Sequence, residues 1–540
     1  MSDYSQAIGV LDSAPRSKTG AAEVTSLAAL LLPSFGTVVF AVALLQVLFI
    51  SHGVVGLFGD SDTGWHIRNG EAILNTSTVP FADYFSYTKN GVEWFAWEWL
   101  SDVFLGAAHL IAGLPAVALL SAAAIALAIW GAARLSISLG GNLFFTSGAM
   151  VLLLGTTSIH WLARPHVFSW LLALLFISVA ERERRMPGRG LYLLPLFACL
   201  WANLHGSFLL GPAILFIYAI GASISMAVED RPLRFAAAAL ACLVATLINP
   251  LGWRLHEHVI SYLNNGYLMD HIAEFRSFSF HSPGAIYVEL FLLVSILGTL
   301  ALFRQRAFGP ALLGLAMLHL SLYSARHLPM AAVLFLPLCV AALTREAEQY
   351  SSLRAFLDYS KRLVAIDRKI WGIVPVVFAM VGAVAGLEQL SGAGLVGFSA
   401  TKFPVRAADF LEQNRLQREP SARVFTKDQW AGYLIYRFAG RTKVFLDGRS
   451  DFYGQELLET YARVVEVKPG WNAVLNQYNV RFVLVAPDNA LASALQLTGN
   501  WKRIYSDSTA AVFERSVFLT TPSAPLRNGD FSLLAQPPLL

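Results

Sequence analysis

FGDSDTGWHIRNGE, residues 58–71, places two aspartates, an indole and an imidazole directly behind the first long apolar run of the chain, residues 27–50. In a soluble protein such a stretch would simply open a surface helix. In a membrane protein it marks the outer end of a span, where polar groups are costly and are kept for a purpose. Composition decides between the two. Of the 540 residues 56% are hydrophobic and only 14% charged, whereas soluble domains average about 25% charged. A mean hydropathy of +0.54 points the same way. The expected fold class is therefore a polytopic α-helical membrane protein.

A helix needs about 20 mostly apolar residues to cross a bilayer. Such segments fall at 27–50, 115–134, 142–159, 166–180, 191–204, 208–227, 233–249, 285–303, 309–324, 328–344 and 370–388, roughly eleven spans. Residues 94–114 are also apolar, but they carry Glu98, Asp102 and several tryptophans. That mixture suits a helix lying in the membrane interface, outside the span count. With this count Arg134, ERERRMPGR at 181–189, Arg231, Arg234, Arg304, Arg306 and the segment from Arg345 to Lys369 share one side, as the positive-inside rule requires. The other side receives the outer loop 51–114, short turns near 160–166, 205–207 and 325–328, the connection 250–284, and the chain beyond residue 390. All twelve histidines lie there or near the outer ends of spans.

Cys199, Cys242 and Cys339 are scattered through the spans, without metal-binding spacing, and read as apolar packing. Residues 1–25 are polar, without a signal-peptide pattern, and read as a disordered N-terminus followed by a retained anchor. The net charge of +4 is explained by the basic inner loops, so no nucleic-acid partner is implied. The transmembrane domain is expected over 26–390. From about residue 396 the texture changes to short β-rich runs at 423–426, 442–448 and 481–487, alternating with helical patterns at 428–438, 453–465, 470–479 and 488–498. This predicts a small α/β extracytoplasmic domain over 396–515, with an irregular tail at 516–540. DGRSD at 447–451 reads as a polar loop between strand and helix.

A helix over 62–75 puts Asp62 and His66 on one face, with Trp65 adjoining and Asp60 just before the first turn. Asp62 near the N-terminus has a structural role open to it, as a cap. Other polar groups arrive at the same depth from separate spans: His160, Arg164 and His166 in SIHWLARPHVFSW, Asn203 and His205 in WANLHGSF, Arg326 and His327 in SLYSARHLPM. Singly, each could anchor a helix among headgroups. Together they suit abstraction of a proton from an acceptor hydroxyl while a phosphate leaves. A carboxylate takes the proton, and fixed cations meet the charge on the leaving group. Asp62 fits the first task, with Asp60 and His66 beside it, and Arg164 or Arg326 the second. Mg or Mn held by Asp60 and Asp62 is an alternative source of positive charge.

An anchor span, an acidic motif opening the first outer loop, interfacial helices, many spans with short outer turns and a C-terminal α/β domain together resemble the GT-C superfamily of membrane glycosyltransferases. FGDSDTGWHIRNGEAIL is similar to the acidic motif of that family, with Asp62 matching its catalytic acid and Asp60 completing a D-x-D form. The resemblance implies an inverting glycosyltransferase of the cell inner membrane, using a polyprenyl-phosphate sugar donor bound in the bilayer. The C-terminal domain would stand in the periplasm or outside. Trp65, Glu98, Arg164, His166, His205, Arg326 and His327 become expected substrate-binding residues, and the acceptor would be a glycan, lipid or protein. Two other readings stay open: a transporter or lipid flippase, and a non-catalytic envelope scaffold. Transporters commonly carry paired repeats with a site near the midplane, whereas the polar residues here gather at outer helix ends.

Overall fold

The computed structural model describes residues 26–50, 52–225, 231–419 and 421–516. The expectations for residues 1–25 and for the tail beyond Ser516 lie outside the described residues. Among the described residues, each segment expected to span is built on helix. Seven helices among the described residues are long and apolar enough to cross a bilayer, as in a multi-pass membrane protein. Gly190–Leu204, Pro232–Ala245 and Phe308–Tyr323 are apolar but only 10–17 residues long, and His166–Arg185 ends in charged residues. At about 1.5 Å per residue these fall short of, or barely reach, a hydrocarbon core of about 30 Å, so the expected count of eleven exceeds what length and composition support. Ala325–Ala347 runs through the middle of the bundle, with 83% of its most apolar stretch buried, against 39% for Trp99–Ser138. The peripheral helices turn side chains such as Leu196, Leu240 and Val381 outward, as lipid contact demands.

The segment expected to lie in the interface is the first part of a longer element. Trp99–Ser138 is one helical run broken at Ala112 and Gly113, where φ reaches −150° and 65°, with Pro115 just beyond. Proline removes a backbone donor there and glycine tolerates the left-handed turn. The part before the break does not lie among headgroups on its polar side, because Asp102 is fully buried against the helix Asp62–Thr76.

The C-terminal part holds a four-stranded sheet in the order β1 (Val424–Thr426), β2 (Phe482–Val485), β4 (Ala511–Arg515), β3 (Trp501–Ser506). β1 and β2 are parallel, and the other pairs are antiparallel. Period-two alternation sends Val424, Phe482 and Leu484 into one core and Phe425, Val483 and Val485 into another. Two departures from expectation stand out. The run 442–448 is not a full strand: Val444 alone bridges, to Val424 and to Ser86 of the first outer loop. The hairpin at 501–515 was not expected from its polar sequence; Asp507 closes its turn by accepting from the amides of Thr509 and Ala510.

The first core is shared between sheet and outer loop, since Trp65, Phe85 and Trp94 pack with Trp430, Val444 and Phe482. Asp62–Thr76 is gripped on two sides by glycine contacts. A Cβ on Gly70 would strike the backbone of Asp102, and one on Gly432, in the helix Asp428–Arg437, would strike the backbone of Ser61. Close approach of this kind is available only without a side chain. Gly432→Val is therefore expected to cost about 3 kcal/mol of stability through overpacking. Gly382→Ala, where a Cβ meets nothing within 4 Å, is expected to be neutral or slightly stabilising. Thermal unfolding of the two variants in lipid nanodiscs checks the contrast.

Candidate functional site

The turn before the helix Asp62–Thr76 separates the roles of its two aspartates. Asp60 Oδ1 accepts from the Asp62 amide at 2.9 Å, so Asp60 supplies the capping contact that could have been assigned to Asp62. The Asp62 side chain is left to face Arg164. That arginine sits on a turn pinned by the Ala163 amide donating to the Leu57 carbonyl at 2.8 Å. Its Nη1 lies 2.6 Å from Asp60 Oδ2 and its Nη2 3.0 Å from Asp62 Oδ2. Nη1 is also 3.5 Å from Glu274 Oε1, and Arg326 Nη1 is 3.7 Å from Glu274 Oε2. Glu274, in the connection 250–284, thus links two arginines brought from separate helices. Sequence reasoning passed over it, because one acid in MDHIAEFR carries no spacing signal.

Burial raises the Asp62 carboxyl, and the neighbouring Asp60 charge adds to this, so that it reaches about 7 despite Arg164. Burial would raise Asp60 as well, but Arg164 and the Asp62 amide outweigh it and hold Asp60 below the ordinary carboxylate range. Two close carboxylates thus divide into one charged group and one that exchanges its proton near neutrality. Burial raises Glu98 and lowers His205 well below the usual imidazole value, Arg326 and Arg164 acting in the same direction on the histidine.

His66 Nδ1 lies 2.5 Å from Asp102 Oδ1, while Asp102 Oδ2 accepts from Asn69 at 2.6 Å and Asn69 from Tyr84 at 2.8 Å. The carboxylate fixes the proton on Nδ1. Nε2 then faces Glu98 at 3.9 Å, buried and without a hydrogen bond. Trp65 stacks on the imidazole with ring centres 3.6 Å apart. On the other side of Glu98, His205 Nε2 stands 3.4 Å from Oε1. Because the Ser207 amide donates to His205 Nδ1 at 3.1 Å, its proton resides on Nε2 and points toward Glu98.

Two cavities meet at this cluster. A polar one of about 60 Å³ lies among Asp62, Glu98, Arg164, Arg326 and Arg449. An apolar one of about 350 Å³ runs inward past Leu209, Val259, Met317 and Leu320. Trp97, Tyr262 and Arg326 border both. His160, His166 and His327 line the larger cavity, not the carboxylate cluster; His166 Nε2 is 3.0 Å from the His160 carbonyl, and His327 Nδ1 is 3.3 Å from the Leu320 carbonyl. The structure thus brings Asp60, Asp62, Trp65, His66, Glu98, Arg164, His205 and Arg326 together, and sets His166 and His327 apart in the apolar chamber. The space between them suits a molecule with a charged head and a long hydrocarbon tail.

A divalent ion does not fit the two aspartates as they stand, since the Arg164 guanidinium occupies the face both carboxylates share. Among the described residues no group of three or more His, Cys, Asp or Glu side chains is placed to hold a metal ion. The loop at 447–451 closes the site from the C-terminal side: a Cβ on Gly448 would run into the Asp62 carboxylate. Arg449 beside it binds Asp447 and Asp83. DGRSD signalled this loop in the sequence, but nothing there brought it to residue 62.

No protein-family model and no curated protein matches the chain. Solved structures do. The oligosaccharyltransferase AglB of Archaeoglobus fulgidus, in complex with an inhibitory peptide and a dolichol-phosphate, is similar with a TM-score of 0.55 and 13% identity, over 91% of this chain and 74% of that one. The apo form of the A. fulgidus oligosaccharyltransferase gives 0.54 and 12%, over 83% and 69%. ArnT of Cupriavidus metallidurans in the apo state gives 0.50 and 15%, over 88% and 97%. At such identities the likeness is one of fold.

Proposed function

We propose that the chain is a glycosyltransferase that moves a sugar from a polyprenyl-phosphate donor to an acceptor on the extracytoplasmic side, with inversion at the anomeric carbon. The single observation that carries this reading is the Asp62 carboxylate, released from capping and facing Arg164 in a polar cavity that opens onto an apolar chamber. Asp62 takes the proton of the acceptor hydroxyl, the oxygen attacks the anomeric carbon, and the bond from that carbon to the phosphate oxygen breaks. Arg326, held only loosely by Glu274, receives the phosphate with His327, while the prenyl tail fills the chamber. Arg164, committed to Asp60 and Asp62, positions the base. Glu98 and Trp65 border the cavity, and His66 stands behind Glu98. The dolichol-phosphate held by the archaeal neighbour supports a lipid-phosphate donor. The cell inner membrane, with the C-terminal sheet in the periplasm or outside, is the proposed setting, and the acceptor is a glycan, lipid or protein.

Release of polyprenyl phosphate from a polyprenyl-phosphate hexose, by the full chain in nanodiscs, tests the reading. Asp62→Asn is expected to lower kcat about 10²- to 10⁴-fold, the usual share of a general base. No donor consumption by the parent would overturn the proposal, and solute uptake into proteoliposomes in its place would favour transport. A base works unprotonated, so with Asp62 titrating at about 7, kcat/KM is expected to climb from pH 5 and level off above pH 8, an estimate of about one pH unit past that value. Asp60→Asn removes the charge that helps raise Asp62, so its rising limb is expected at lower pH in the same profile. Because Arg164 fills the face an ion would need, EDTA is expected to leave the rate unchanged, and rescue of a chelated enzyme by Mg²⁺ or Mn²⁺ would refute that.

A further inference from the structure

Two residues that line the polar cavity carry buried N–H donors that the transfer chemistry does not use. Arg449 is 4% exposed. Its Nε and Nη2 bind Asp447 at 2.8 and 2.7 Å, and Nη2 also reaches Asp83 at 2.7 Å. The Trp94 ring covers the guanidinium 4.4 Å away. Nη1 is buried and has no hydrogen bond, and the same is true of Nε1 of Trp65, whose side chain is 7% exposed. Buried N–H groups left without a partner are costly and rare. Here both belong to side chains lining one cavity, together with the Asp62 carboxylate.

We infer that Arg449 and Trp65 form a subsite for an uncharged oxygen of the acceptor, next to the hydroxyl that faces Asp62, and that the acceptor is carbohydrate-like. This rests on the transfer reading above and adds the class of acceptor to it. Two unpaired donors call for a partner that accepts hydrogen bonds. Asp83 and Asp447 already pair with the Arg449 charge, so a neutral oxygen meets its remaining N–H without bringing a further anion beside Asp62, Asp102 and Asp451. Trp65, Trp94 and Trp97 add an aromatic wall to the cavity. A cavity of about 60 Å³ takes the reacting edge of a ring, with the remainder outside. The loop 447–451 belongs to the C-terminal part of the chain, so that part selects the acceptor while the membrane helices hold the donor.

The test reads binding, so it stands apart from turnover. Saturation-transfer NMR on the full chain in nanodiscs would titrate methyl β-D-glucoside and methyl β-D-galactoside as neutral probes and glucose 6-phosphate as an anionic one. At least one neutral glycoside is expected to bind saturably and more tightly than the phosphate. Trp65→Phe, which keeps an aromatic ring but removes the N–H donor, and Arg449→Lys, which keeps the charge, are each expected to weaken it about three- to tenfold. Tighter binding of the phosphate, no saturable binding of either glycoside, or undiminished affinity in Trp65→Phe would overturn the inference. If Arg449→Lys melts early, Trp65→Phe alone decides. Glycoside binding with no donor consumption by the parent would instead sink the transfer reading and leave the subsite standing.

Discussion

Arg164 is the residue on which the outer face depends. One guanidinium, delivered from the turn that follows Leu143–His160, lies within reach of three carboxylates drawn from two different loops. Buried ion pairs are seldom a net gain in stability, since desolvation consumes much of the attraction. Their effect is on specificity of arrangement. Without the cation, Asp60 and Asp62 would repel one another and Glu274 would lose one of its two anchors. With it, the two aspartates settle into unlike protonation behaviour, and the connection 250–284 is drawn down as a roof over the apolar chamber.

Much of this was legible in the sequence because its physics is one-dimensional. Apolar length announces membrane helices, and FGDSDTGWHIRNGE announces a polar motif at the outer end of one. Helix ends at 164, 205 and 326 could be matched by depth alone. Depth is not depth plus azimuth, however, and hydropathy is silent on which side of the bundle a residue occupies. His166 and His327, read at that depth as substrate-binding residues, line the chamber behind the carboxylates. Glu274, Asp102 and Arg449 were missed for a related reason. Each acts through a partner 36 to 366 positions away in sequence, and no periodicity records such a pairing.

The C-terminal sheet was only half readable. β1 and β2 are buried apolar strands with an unmistakable pattern. β3 and β4 form a hairpin whose first strand has only Trp501 buried, so no apolar alternation marks it. The run at 442–448 looks like a strand in isolation, yet it is used as a clip, binding the outer loop through Val444 with Phe85 and Tyr87. Tertiary context overrode local preference there, as it often does in strands.

That clip has a bearing on biogenesis. Thr88 donates to the Phe445 carbonyl across 357 positions, and Gly448 rests on Asp62. At ribosomal speeds of about 5–20 residues per second, tens of seconds separate the emergence of the acid from that of the loop that covers it. During that interval the wall opposite Asp62 is missing. On the proposed function, the site is complete only once the ribosome has passed residue 449.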